Sequence, residues 1–135
     1  MSDVNIAQLT QQAQNGDKTA QYNLALCYDN GMGGLTKDPV KAAEWYTKAA
    51  EQGLAHAQCN LAIGYSRGLG VSQDHSKAFF WYSKAADQNY ADAQYNLAIC
   101  YLHGMGVTQD QEKAIQWILK AAENGNEAAK KLLES

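Results

Sequence analysis

A-Q-Y-N-L-A at residues 20–25 returns as A-Q-C-N-L-A at 57–62 and again as A-Q-Y-N-L-A at 93–98. The copies start 37 residues apart (20 to 57) and then 36 (57 to 93). A period of that length belongs to helix-pair repeats, whose units cannot bury their apolar faces alone and must stack. The motif predicts a solenoid, with function on an extended surface rather than in one catalytic pocket.

Each motif sits in the first helix of a repeat, predicted over Lys18–Asn30, Ala55–Arg67 and Ala91–His103. Gly31, Gly68 and Gly104 follow at once, where a helix end calls for a residue free to turn left-handed. Second helices are predicted over 39–52, 75–88 and 111–124, with Asp38, Asp74 and Asp110 placed to cap them and Pro39 at the first helical position. Gly53, Asn89 and Gly125 end them. No segment alternates with period two, so no strand is predicted. In the first helices Leu24, Cys27 and Tyr28 recur at i, i+3 and i+4, as do Leu97, Cys100 and Tyr101. Trp45, Trp81 and Trp117 share one position of the second helices and are expected in the core against small alanines.

The 135 residues make one domain. Its predicted parts are an N-terminal capping helix in 1–17, repeats at 18–54, 55–90 and 91–126, and a C-terminal cap in 127–135. Residues 6–16 read as a second helix without its first, and 127–133 as the start of a further first helix made polar by Lys130 and Lys131. Caps of this sort close a solenoid, so the expectation is a complete small protein rather than a slice of a longer array. Weak self-association through the solenoid ends is a further expectation.

Apolar residues at 46% argue against disorder, and no apolar run reaches the roughly 18 residues of a membrane span. A net charge of −3 without a basic cluster argues against nucleic acid and anionic membranes as partners. The start M-S-D-V-N-I-A-Q-L has neither the basic nor the apolar part of a secretory signal. Cys27, Cys59 and Cys100 are an odd set at repeat-separated positions, read as reduced, buried thiols of a cytoplasmic protein. His56, His75 and His103 supply no metal-ligand spacing, and no cofactor is expected.

The third repeat, A-D-A-Q-Y-N-L-A-I-C-Y-L-H-G-M-G-V-T-Q-D-Q-E-K-A-I-Q-W-I-L-K-A-A-E-N-G, resembles the Sel-one-like repeat (SLR) family, a branch of the tetratricopeptide-like solenoids. The resemblance covers about residues 18–125 and implies an all-α, right-handed α/α superhelix of three helix pairs with a capping helix at each end. Alanine stands in place of the family's helix glycine at Ala25, Ala62 and Ala98, and the first loop carries one extra residue. Some secreted members join a second helix to the next first helix by a disulfide. The matching positions here hold Ala50, Gln58, Ala86 and Gln94, which supports the cytoplasmic reading.

The family's first helices line a concave surface. Carried over by position, the lining is Tyr22, Asn23, Leu26, Asp29 and Asn30 in repeat one, and Asn60, Ile63 and Arg67 with Cys59 and Ser66 in repeat two. Repeat three adds Asp92, Tyr95, Asn96, Ile99, Leu102 and His103. Leu26, Ile63 and Ile99 form either the floor of a groove or core between repeats. Asn23, Asn60 and Asn96 either meet a partner's backbone or pin one repeat to the next. Asp29, Arg67, Asp92 and His103 differ between repeats, so architecture does not demand them. The glycine loops are read as turns and not dinucleotide sites, for no strand precedes them. The lysines of the second helices (Lys41, Lys77, Lys113, Lys48, Lys84 and Lys120) are read as solvated surface.

What the family implies is protein–protein interaction: adaptor, scaffold and signalling roles, and in bacteria some host-interaction and immunity proteins. The expectation is a non-enzymatic module that holds a partner protein or peptide segment in the groove. The alternative is an immunity or inhibitor protein that binds one toxin or enzyme tightly. No paired acid and base or activated nucleophile speaks for catalysis.

Overall fold

The structure, a computed structural model, describes residues 5–135. It is an all-helical solenoid: α1 (Ile6–Gln14), α2 (Lys18–Asn30), α3 (Pro39–Glu51), α4 (Ala55–Arg67), α5 (His75–Ala86), α6 (Ala91–His103), α7 (Gln111–Glu123) and α8 (Glu127–Glu134). Each helix packs chiefly on its neighbours in sequence, as a stack of helix pairs requires. The first helices α2, α4 and α6 have the bounds read from the sequence, while the second helices stop one or two residues earlier than expected. The expected N-terminal cap is α1, and residues 1–4 of that segment lie outside the described residues.

The start signals act as read. Asp38, Asp74 and Asp110 each accept from the backbone N–H three residues on, at 3.1 Å. Asn5, Asp17 and Asn126 do the same for α1, α2 and α8. α4 and α6 have no such cap and begin instead at Leu54 and Tyr90. Both side chains pack into the core there. The second glycine of two loops does more than turn the chain. At Gly70 and Gly106, with φ near +75°, a Cβ would sit 2.1 Å from Pro39 O and His75 O of the preceding repeat. Loop and helix start meet backbone to backbone there.

Leu24, Leu61 and Leu97 lie fully buried with the repeat alanines around them. The tryptophans depart from expectation. Trp45, Trp81 and Trp117 are half-buried at the edge of the core, and the buried place beside each belongs to Tyr46, Tyr82 and Ile118. The ring is too broad for the small-residue seam and lies along its shoulder. The lysines are exposed but not merely solvated. Lys41, Lys77 and Lys113 hold their ammonium groups 5.4–5.6 Å over the rings of Tyr28, Tyr65 and Tyr101. Lys48 and Lys120 lie over Trp45 and Trp117. At exposed sites such contacts contribute about 0.5–1 kcal/mol each. Ion pairs matter less: among the described residues the one pair is Lys130–Glu127, exposed on α8.

A buried glutamine pins each junction. Gln21, Gln58 and Gln94 are at most 4% exposed. Each donates its side-chain amide at 3.1 Å to the carbonyl of Ala13, Ala50 or Ala86 on the preceding second helix. Each also accepts, from Gln52, Gln88 and Asn124 at 2.8–2.9 Å. Among the described residues no buried side-chain polar atom lacks a partner. Cys27, Cys59 and Cys100 are free and buried.

Candidate functional site

The residues expected on the first-helix face separate into several places. Tyr22 belongs to an aromatic cluster, with ring centroids 6.1 Å from Tyr46 and 5.8 Å from His56, and His56 lies 4.5 Å from Tyr90. Asn23 and Leu26 line a depression of about 450 Å³ between α1 and α2, with Met32 at its rim. Asp29, Asn60, Ile63 and Arg67 line a cavity of about 200 Å³ between α2, α3 and α4. Asn30 is exposed and bonds only back to Leu26 O. Tyr95, Asn96, Ile99 and Leu102 are half-buried on α6, and His103 is exposed at its end.

The apolar residues Leu26, Ile63 and Ile99 are neither floor alone nor core alone. Each is half-buried, with one side in the stack and one side open. The asparagines differ among themselves. Asn23 is exposed, whereas Asn60 and Asn96 are half-buried, and Asn60 stands with Tyr46 on the cavity wall.

Two of the single-copy polar residues are engaged within the fold. Asp29 accepts from the Tyr46 hydroxyl at 2.9 Å, and burial, with the Asp29 carboxylate beside it, holds that phenol well above its ordinary value. Asp92 accepts from Asn126 at 2.9 Å and so ties α6 to the start of α8. Arg67 and His103 stay exposed, and among the described residues Arg67 has no carboxylate within ion-pair distance. Buried thiols add a further trait. Burial pushes Cys59 to about 12, with Asp92 adding to it, and Cys100 to about 11.

The cavity takes more of its wall from residues that sequence reasoning passed over: Pro39, Ala42, Ala43, Leu61, Gly64 and Leu69. The signal was in the repeats. Ala43 aligns with Phe79 and Ile115, and Gly64 with Cys27 and Cys100, so this junction carries the smaller member of both sets.

The two ends of the stack differ. Asn5, Gln8 and Gln12 present a polar surface on α1. At the other end Ile115, Leu119, Leu132 and Leu133 are each nearly half exposed. α8 has 8 residues where α6 has 13, so nothing in the described chain covers Ile115 as Tyr101 of α6 covers Phe79.

The profile of the Sel1 repeat matches residues 18–54, 55–90 and 91–126. The chain belongs to the Sel1 repeat family. A Sel1 repeat protein from Oxalobacter formigenes is similar over 96% of this chain and 97% of that one, with TM-score 0.85 and 41% identity. A protective antigen of uropathogenic Escherichia coli with an SLR fold gives TM-score 0.88 and 39% identity over 94% of this chain and 27% of that one. The ERAD-associated E3 ubiquitin-protein ligase component HRD3A of Arabidopsis thaliana is 39% identical over 62 residues, or 46% of this chain. The matched stretch spans only 9% of that curated relative's length. No described helix is long and apolar enough to cross a membrane.

Proposed function

We propose that this Sel1 repeat protein is a non-catalytic interaction module that holds a segment of a partner protein along the face of its first helices. The observation that carries this reading is the half-open strip on that face. Tyr22, Ile63, Tyr95 and Ile99 keep part of their apolar surface uncovered, beside a cavity and an arginine that has no acidic partner among the described residues. Aromatic residues and arginine at a partly apolar strip are the usual anchors of protein contacts. A relative that is by name a component of a ligase assembly fits the same reading. The ionisable side chains on the cavity wall are Asp29, Tyr46 and Arg67, and Tyr46 donates to Asp29 at 2.9 Å, a bond that braces the wall rather than poising a nucleophile.

The test is capture from native lysate by wild type and by Tyr22→Ala/Arg67→Ala/Tyr95→Ala, after circular dichroism shows both folded. A partner held by wild type and lost from the triple variant supports the reading. A partner retained equally moves the site to the second helices, the loops or the ends.

A further inference from the structure

We propose that the cavity between α2, α3 and α4 receives an aromatic side chain of the partner segment, with an acidic residue beside it paired to Arg67. The inference rests on the interaction-module reading and gives that partner its chemistry.

The cavity is a local departure from the repeat. Gly64 lies inside α4, where glycine is unfavourable to the helix and where α2 and α6 carry Cys27 and Cys100. Across from it Ala43 stands where α5 carries Phe79. At the second junction the Phe79 ring meets Tyr101 edge-on, with centroids 5.4 Å apart and planes at 89°. Tyr65 is the counterpart of Tyr101 at the first junction, and among the described residues no ring is paired with it. The chain thus shows, one repeat along, the kind of group that suits this place. Size agrees: a volume of about 150 Å³ already accepts a benzene ring, and this cavity has about 200 Å³. Ala42, Leu61, Ile63 and Leu69 give it apolar walls.

Charge sets the neighbour of that ring. Arg67 is the single arginine of the chain and lines the cavity, and among the described residues no carboxylate lies within ion-pair distance of it. The one carboxylate on the same wall, Asp29, already accepts the Tyr46 hydroxyl. A carboxylate from outside would find a planar donor fork able to bind it through two hydrogen bonds.

The experiment is a titration of the full ¹⁵N-labelled chain, followed by amide shifts, with the capped tetrapeptide acetyl-Gly-Phe-Glu-Gly-amide. Two control peptides replace its Phe by Ala or its Glu by Gln. The expected result is movement of the Ala42, Ala43, Gly64 and Leu69 amides, with affinity lower by about tenfold for the alanine peptide. Arg67→Gln lowers the affinity for the glutamate peptide to that for the glutamine peptide. Ala43→Phe/Gly64→Cys, which installs the residues of the second junction, abolishes these shifts. Should that variant fail to fold, the alanine peptide and Arg67→Gln, a change at an exposed side chain, still decide. Equal binding of the alanine peptide, shifts that survive filling the cavity, or no shift up to the solubility limit overturns the proposal. Shifts confined to the Tyr22 and Tyr95 regions overturn it while leaving the first-helix face as the interaction surface. Only a lysate partner retained by the triple variant removes that surface too.

Discussion

Gln88 donates its side-chain amide to Gln58 Oε1 at 2.9 Å, and Gln58 donates in turn to Ala50 O at 3.1 Å. One buried side chain so connects the second helix of repeat one, the first helix of repeat two and the turn that follows the second helix of repeat two. The same chain of bonds recurs as Gln52–Gln21–Ala13 and Asn124–Gln94–Ala86. Positions 50 and 58 are the pair that the family resemblance associates with a disulfide in some secreted members. Here an amide bridges them without any dependence on redox conditions.

Gln58→Ala should therefore cost more than loss of one exposed hydrogen bond. It removes a buried side chain that donates to the Ala50 carbonyl and accepts from Gln88, and leaves a gap where that side chain sat. The buried hydrogen bond is worth about 0.5–1.5 kcal/mol, and the cavity left behind adds to the loss. Urea unfolding of Gln58→Ala beside Gln73→Ala, which loses an exposed bond to Ser66 O, checks it. A loss at Gln58 no greater than at Gln73 would show that the ladder is dispensable.

How far the sequence revealed this architecture depends on which residues set each feature. Helix starts and ends were readable because they are local: an aspartate three residues before the N–H it caps, a glycine just past the last turn. The second helices were read slightly long because Gln52 and Asn124 continue a helical pattern although their side chains are turned to the glutamine ladder. The tryptophans were misplaced because their shared period suggests burial without saying which of two neighbours, Trp45 or Tyr46, takes the inner seat. The glutamines of the motif read in the sequence only as the absence of a disulfide, because their partners lie on other helices and in other turns. The cavity was harder still, since Ala43 and Gly64 lie on different helices and matter only when packing sets them on one wall.

The close approach at the loops gives a second prediction. Gly70→Ala and Gly106→Ala each place a methyl group into a backbone carbonyl of the preceding repeat at a left-handed φ. Strain and clash together should destabilise by more than about 2 kcal/mol. Gly16→Ala has positive φ but no atom within 4 Å of the new carbon, and should cost less. Thermal melts of the three variants order them. Equal midpoints would mean that φ alone, not the inter-repeat contact, sets the requirement.

Alkali should weaken the fold. Burial, with Asp92 beside it, raises Cys59 from an ordinary 9.0 to about 12, and burial raises Cys100 from 9.0 to about 11. Burial also holds Tyr46 and Tyr82 above the usual phenol range. In each case the native state keeps a proton that the unfolded chain has lost. The associated stability is whole below pH 9 and is lost as pH rises through the folded values, between about 9 and 12. Urea midpoints measured from pH 7 to pH 10.5 should be level at first and then fall. Cys59→Ala should make the fall shallower, and an unchanged slope would argue that the thiol is less enclosed than its place between α4, α5 and α6 implies.

The open C-terminal end supplies the last prediction. Leu119 occupies the position held by Thr47 and Ser83 in α3 and α5, where a hydroxyl bonds the carbonyl four residues back at 2.7–2.8 Å. A leucine there, with Ile115, Leu132 and Leu133 also exposed, leaves apolar surface on α7 and α8. Exposed apolar surface of this kind draws a second copy when concentration allows. Sedimentation velocity over a concentration series should show a dimer whose formation Leu119→Ser, a residue native to the equivalent place, weakens by about tenfold, equal to about 1.4 kcal/mol. The Asn5 and Gln8 end supplies the control: substitutions there should leave the same equilibrium untouched. Should Leu119→Ser sediment like wild type at every concentration, the end is a wet surface and self-association has no part in this fold.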